Sequence, residues 1–96
     1  MTGKPLSEPT RMLVALEAAA YMRWAETRMK RSPTSQAVDL YVQGVLDREE
    51  FAWSAVDIQQ IAILATSLNL DLVERFATER GMFDLLDRAA AEQSQR

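Results

Sequence analysis

Met12-Leu13-Val14-Ala15-Leu16-Glu17-Ala18-Ala19-Ala20-Tyr21-Met22 holds eleven residues and a single charge, that of Glu17. No run of alternating apolar and polar residues occurs here, so the stretch reads as helix. A helix apolar on nearly every side must be enclosed on most sides by protein. On a helical wheel Leu13, Leu16, Ala20 and Trp24 share one side. Val14, Ala18, Tyr21, Ala25 and Met29 form a second stripe, with Met22 beside it. One stripe suffices for an intramolecular core, and the second needs another surface. Two readings stay open: a central helix wrapped by the rest of the chain, or a helix whose outer face meets a second copy or a partner.

Outward from this stretch, the chain divides at its punctuation. Met1 to Leu6, with Gly3 and Pro5, reads as a flexible tail, and Ser7 as the N-cap of a helix from Glu8 to Arg31, roughly 36 Å long at 1.5 Å per residue. Ser32-Pro33 reads as the cap and first residue of a second helix. A turn is expected from Gly44 to Asp47. Asp47 and Glu50 have capping-box spacing, and Leu46 with Phe51 fits a hydrophobic staple, so a third helix is expected from Arg48 to Leu68. Asn69 reads as a left-handed helix end, Asp71 and Glu74 as another capping box, and Gly81 as the stop of a short helix Leu72 to Arg80. A last helix begins near Phe83 or Asp84 and fades from Ala91, leaving 93–96 as a frayed end. The expected fold is an all-α compact bundle of about four to five helices with a long first helix, one domain over 7–92, with no strand-type alternation and no internal repeat.

Composition narrows the function classes. The chain has 96 residues, 48% hydrophobic and 26% charged, with net charge −3. A domain this small buries only about 60–65% of its unfolded surface, so added burial in a homodimer is expected to help it. It has no cysteine and no histidine, which removes disulfides, thiolate zinc sites and imidazole catalysis. Its three glycines, Gly3, Gly44 and Gly81, are too scattered for a phosphate loop. Helix capping accounts for Asp47, Glu50, Asp71 and Glu74 without a cation. The expectation is no enzyme activity, no catalytic residue, no cofactor and no metal. With no apolar run of the roughly 20 residues a bilayer needs, and no apolar block before Leu13, neither a membrane span nor a signal peptide is expected. The expected location is the cytoplasm.

Two binding readings remain. Gln60 to Phe76 resembles a helix-turn-helix unit, with Ala62, Leu68 and Val73 at its inner positions. Yet no glycine occupies the turn, and Asp71, Glu74 and Glu79 on the reading helix would repel phosphates. The basic group Arg23, Arg28, Lys30 and Arg31 reads as a solvated helix end, or as a contact for a phosphate backbone or an acidic partner.

The alanine-rich, Met- and aromatic-bearing helix Met12 to Met29, the Ser32-Pro33 break and the block with Phe51 and Trp53 give the chain another resemblance. In size, acidity and surplus apolar surface it is similar to the small helical bacterial anti-activators that bind LuxR-type quorum-sensing transcription factors. That resemblance implies a protein that occludes a regulator's dimerisation or DNA-binding surface with apolar helix faces. Bulky apolar residues beyond the needs of one core are the expected contacts: Met12, Tyr21, Met22, Trp53, Leu64, Met82 and Phe83. The alternatives are a small helix-turn-helix DNA-binding regulator, or a secretion or folding chaperone for one effector.

Overall fold

The computed structural model describes residues 3–94. The outermost positions of both expected tails, 1–2 and 95–96, lie outside the described residues. Five α-helices follow one another: α1 (Glu8–Arg28), α2 (Ser35–Arg48), α3 (Ala55–Ser67), α4 (Leu70–Arg80) and α5 (Met82–Ser94). The all-α bundle with a long first helix is therefore the observed fold.

α1 is the keel. It packs against all four other helices, while α2 pairs with α3 and α4 pairs with α5. Its buried positions are Val14, Ala15, Ala18, Ala19, Ala20, Trp24 and Ala25, which belong to both of the stripes read on the wheel. Alanine carries almost no side chain, so neighbouring helices can approach a run of alanines closely from several directions. The other four helices thus wrap the alanine-rich middle of α1, while Met12 and Leu13 near its start stay exposed. The completely covered large side chains, Val42, Leu46 and Ile61, come from the α2–α3 pair.

Several boundaries differ from expectation, each for a local reason. Ser7 caps α1 as read, accepting from the Thr10 N–H at 3.3 Å. α1 stops three residues early, because Lys30 turns left-handed (φ 58°) and Arg31 N–H returns to the Ala25 carbonyl at 3.2 Å. The N-cap of α2 is Thr34, whose Oγ1 accepts from Ala37 N–H at 3.0 Å, and not Ser32. Pro33 favours an extended residue before it and so keeps Ser32 out of the helix.

Gly44 lies inside α2 and makes no turn. The Asp47–Glu50 spacing marks the end of this helix rather than the start of the next. Glu50 N–H bonds to Asp47 C=O (3.1 Å), and Phe51 N–H bonds to Leu46 C=O (2.9 Å), with Glu50 left-handed at φ 60°. This is a Schellman ending. Its apolar pair has the same five-residue spacing as a staple, so Leu46 and Phe51 satisfy both patterns. α3 begins later, at a capping box in which Ser54 Oγ accepts from Asp57 N–H (3.3 Å) and Asp57 Oδ2 accepts from Ser54 N–H (2.8 Å). Phe51 and Trp53 therefore precede α3 and share no face of it.

Asn69 is extended (φ −64°, ψ 131°) and caps α4 through Oδ1, so it is not a left-handed helix end. That earlier cap starts α4 at Leu70, and Asp71 lies within its first turn. Gly81, at φ 60°, ends α4 as read, and α5 starts directly at Met82. α5 continues through Ser94, beyond the expected fraying point. The described part of the N-terminal tail is also held in place. Lys4 N–H donates to Glu50 C=O at 2.9 Å and Ala52 N–H donates to Lys4 C=O at 2.8 Å, with the Lys4 ammonium 4.7 Å from the Phe51 ring centre.

Candidate interaction site

α2 and α5 both lie on α1, but among the described residues they do not touch each other. The gap between them is an open cleft of about 550 Å³. Such a volume falls within the roughly 300–1,000 Å³ of common binding clefts. The last turns of α1 form the floor, the 31–34 connection closes one end, and the facing sides of α2 and α5 form the walls.

Three aromatic residues give the floor its character. Tyr21 and Tyr41 stack with centroids 4.6 Å apart and planes 6° from parallel, joining α1 to α2. Tyr21 also stacks on Trp24 at 6.2 Å. The indole N–H of Trp24 donates to Asp87 Oδ1 at 2.8 Å, and Arg28 binds the other oxygen of that carboxylate. Trp24 thus lies at the base of the cleft, largely buried and with its polar atom already satisfied. Burial pushes the Tyr41 hydroxyl up to about 12, with the nearby Glu17 carboxylate adding to the shift, so it stays protonated. The walls mix small and larger residues, with Ala37 and Tyr41 on α2 and Leu86, Ala89, Ala90 and Gln93 on α5. Arg31 is the charged side chain among the lining residues.

The seven residues expected to contact a partner do not converge. Tyr21 lies in the cleft. Met82 is only 7% exposed and belongs to the core, which corrects its assignment as a contact. Met22, Leu64 and Phe83 are half-buried and pack against that core. The Arg28 guanidinium lies 5.5 Å from the centre of the Phe83 ring. Met12 is exposed near the start of α1. Trp53 is 36% exposed, and its indole N–H is held by Asp47 Oδ1 at 2.8 Å. Trp24, by contrast, is covered by the chain's own residues, and the exposed bulky apolar side chains on or beside the long helix are Met12, Leu13 and Met29. Uncovered apolar side chains also lie on α3, where Val56 and Ile63 are 58% and 60% exposed.

Most of the cleft was missed in the sequence reading. Leu86, Ala89, Ala90 and Gln93 follow helical spacing, and that pattern could have marked a continuous face on α5. The alanines at its centre gave it too little apolar weight to stand out. The acids are occupied structurally: Asp57 and Asp47 as above, Asp87 by Trp24 and Arg28, and Glu74 by Arg23 at 3.6 Å. The backbone N–H of Ser54 and the side chain of Arg11 hold the Asp57 carboxyl below its usual range.

α3 and α4 meet at 105°, near the roughly 90–120° of a helix-turn-helix. Two residues, Leu68 and Asn69, connect them, and Asp71 is exposed in the first turn of α4. Among the described residues no single helix is long and apolar enough to cross a membrane. No protein family, curated protein or solved structure matches this chain.

Proposed function

We propose that this chain is a non-enzymatic interaction module that binds another bacterial protein and inhibits or sequesters it. A transcriptional regulator is the proposed target, after the manner of the quorum-sensing anti-activators. One observation carries this reading: α2 and α5 rest on a common helix without meeting, so an aromatic floor stays open where a sixth element could lie. Apolar clefts with aromatic anchors are where binding energy concentrates in protein interfaces. Tyr21 and Tyr41, both half-buried, supply stiff aromatic contact area, and the polar edge at Arg31, Ser32 and Thr34 can set orientation.

The test is differential capture from the native host with the wild-type chain and an Ala37→Arg/Ala90→Arg variant, which fills the cleft from both walls. The reading expects a regulator that is retained by the wild type and lost with the variant while helicity is unchanged. The same regulator, purified, should lose DNA binding when the wild-type chain is added. An identical set of captured proteins for both chains would remove the cleft from the interaction.

A further inference from the structure

The chemistry of the cleft narrows what it can hold. Resting on the interaction reading above, we infer that it takes an amphipathic helix of the partner, apolar stripe downward, with an acidic side chain of that helix against Arg31.

Shape is the first argument. One turn of α2, from Ala37 to Tyr41, faces two turns of α5, from Leu86 to Gln93, across two turns of α1. The trough between them is open to solvent. A small ligand commonly has about 70–90% of its surface buried in its site, which an open trough does not provide. A rod with one apolar stripe suits it better, since only that stripe needs cover and the opposite face stays in water.

The walls supply the second argument. Ala37, Ala89 and Ala90 stand where bulkier residues would fill the trough, and Ala25 lies in the floor between Tyr21 and Met29. These alanines let a helix backbone descend until its side chains reach the aromatic rings. Helix-in-groove recognition uses anchors at i, i+3 or i+4, and i+7. A row of that kind matches a floor formed by successive turns of α1.

Charge supplies the third argument. No carboxylate lines the trough, and Asp87 beneath it is already neutralised by Arg28. Arg31 is exposed at the closed end, next to Lys30, and among the described residues no carboxylate pairs with it. An incoming helix with a glutamate beside its apolar stripe gains an ion pair there. One with a lysine at that position meets like charge.

The probe is a synthetic peptide of about 18 residues, five helical turns, with a leucine stripe flanked by glutamates. One control peptide has the stripe scrambled at constant composition, and another has lysines in place of the glutamates. Binding is followed by backbone amide shifts and by Trp24 fluorescence in a Trp53→Phe background. The expected result is saturable binding with shifts confined to 21–41 and 86–93, roughly tenfold tighter than either control. Arg31→Glu should reverse the preference between the glutamate and lysine peptides. Equal binding of the scrambled peptide, or shifts centred on Val56 and Ile63, would overturn the inference. So would sodium decanoate occupying the cleft when the helical peptide does not. If the peptides fail but the captured regulator is still lost with the Ala37→Arg/Ala90→Arg variant, this inference falls and the cleft reading stands. If both fail, both fall.

Discussion

Trp24 and Asp87 are joined across 63 residues of sequence by a 2.8 Å hydrogen bond from indole to carboxylate. This bond and the Arg28 pair on the same carboxylate hold α5 to the keel. Met82 is the one buried residue of α5 among those described, with Phe83 and Leu86 half-buried against the core. The wall of the cleft is therefore positioned by polar contacts as well as by burial. Asp87→Ala leaves the Trp24 N–H, in a residue that is mostly covered, without its acceptor. The expected loss is about 1–3 kcal/mol, with faster amide exchange confined to α5. Asp87→Asn keeps an acceptor for Trp24 and loses only the exposed ion pair, worth under about 1 kcal/mol. Urea denaturation with exchange measurements on both variants checks the order.

Glu50 occupies a left-handed position at the end of α2, where a Cβ costs roughly 1 kcal/mol relative to glycine. Glu50→Gly is expected to stabilise the chain by up to about that amount. Gly44, inside the same helix, has nothing within 4 Å of an added Cβ, so Gly44→Ala should add about 0.5–1 kcal/mol. Gly3→Ala should have the opposite effect. Its Cβ would lie 2.5 Å from the Ala52 nitrogen, and the Lys4–Phe51 bridge would have to open. Thermal melts give the signs, and exchange at the Lys4 and Ala52 amides locates the Gly3 effect.

These positions also show what the sequence could and could not convey. Helix content, the Ser7 cap and the Gly81 stop were legible because each depends on a few adjacent residues. The end of α2 was not, because Leu46-Asp47 through Glu50-Phe51 satisfies the spacing of a helix start as well as that of a Schellman ending. Glycine at position 50 would have separated the two, and glutamate conceals the difference. The cleft was illegible for another reason. It is made by a contact that α2 and α5 do not form, and no residue pattern within either helix records that. Of the seven expected contact residues, Tyr21 alone is among those that line the cleft, through its place on α1.

Glu17 is half-buried on the keel, and burial raises its carboxyl above the ordinary 4.5, with Arg48 and Arg80 partly opposing the shift. The folded chain therefore holds this proton more tightly than the unfolded chain does. Its favourable contribution is complete below 4.5 and is lost as pH rises through the raised value. At neutral pH the ionised carboxylate is a small liability. Glu17→Gln should then melt above the wild type at neutral pH, by no more than about 1 kcal/mol given solvent access, and the gap should close below pH 4.5. Melting curves of the two proteins across that interval test the sign. Because other acids titrate in both chains, the difference between them is the informative quantity.

Ala18 separates the keel from the surface reading of α1 most directly. It is fully buried, as are Ala15 and Ala20 nearby, and it belongs to the second stripe of α1, the one that needs a surface beyond a single core face. If helices of the same chain cover it, a larger side chain must displace them. Ala18→Leu adds three carbons to a packed core, and overpacking of that kind costs about 1–3 kcal/mol. In a domain whose total stability is on the order of 5–15 kcal/mol, the loss should appear as a clear shift of the urea midpoint for the isolated chain at any protein concentration. A leucine facing solvent or a partner would leave the isolated chain's midpoint almost unchanged and alter only association. Denaturation of Ala18→Leu at two widely separated protein concentrations distinguishes the cases. A destabilisation independent of concentration is the outcome that a central, self-covered α1 requires.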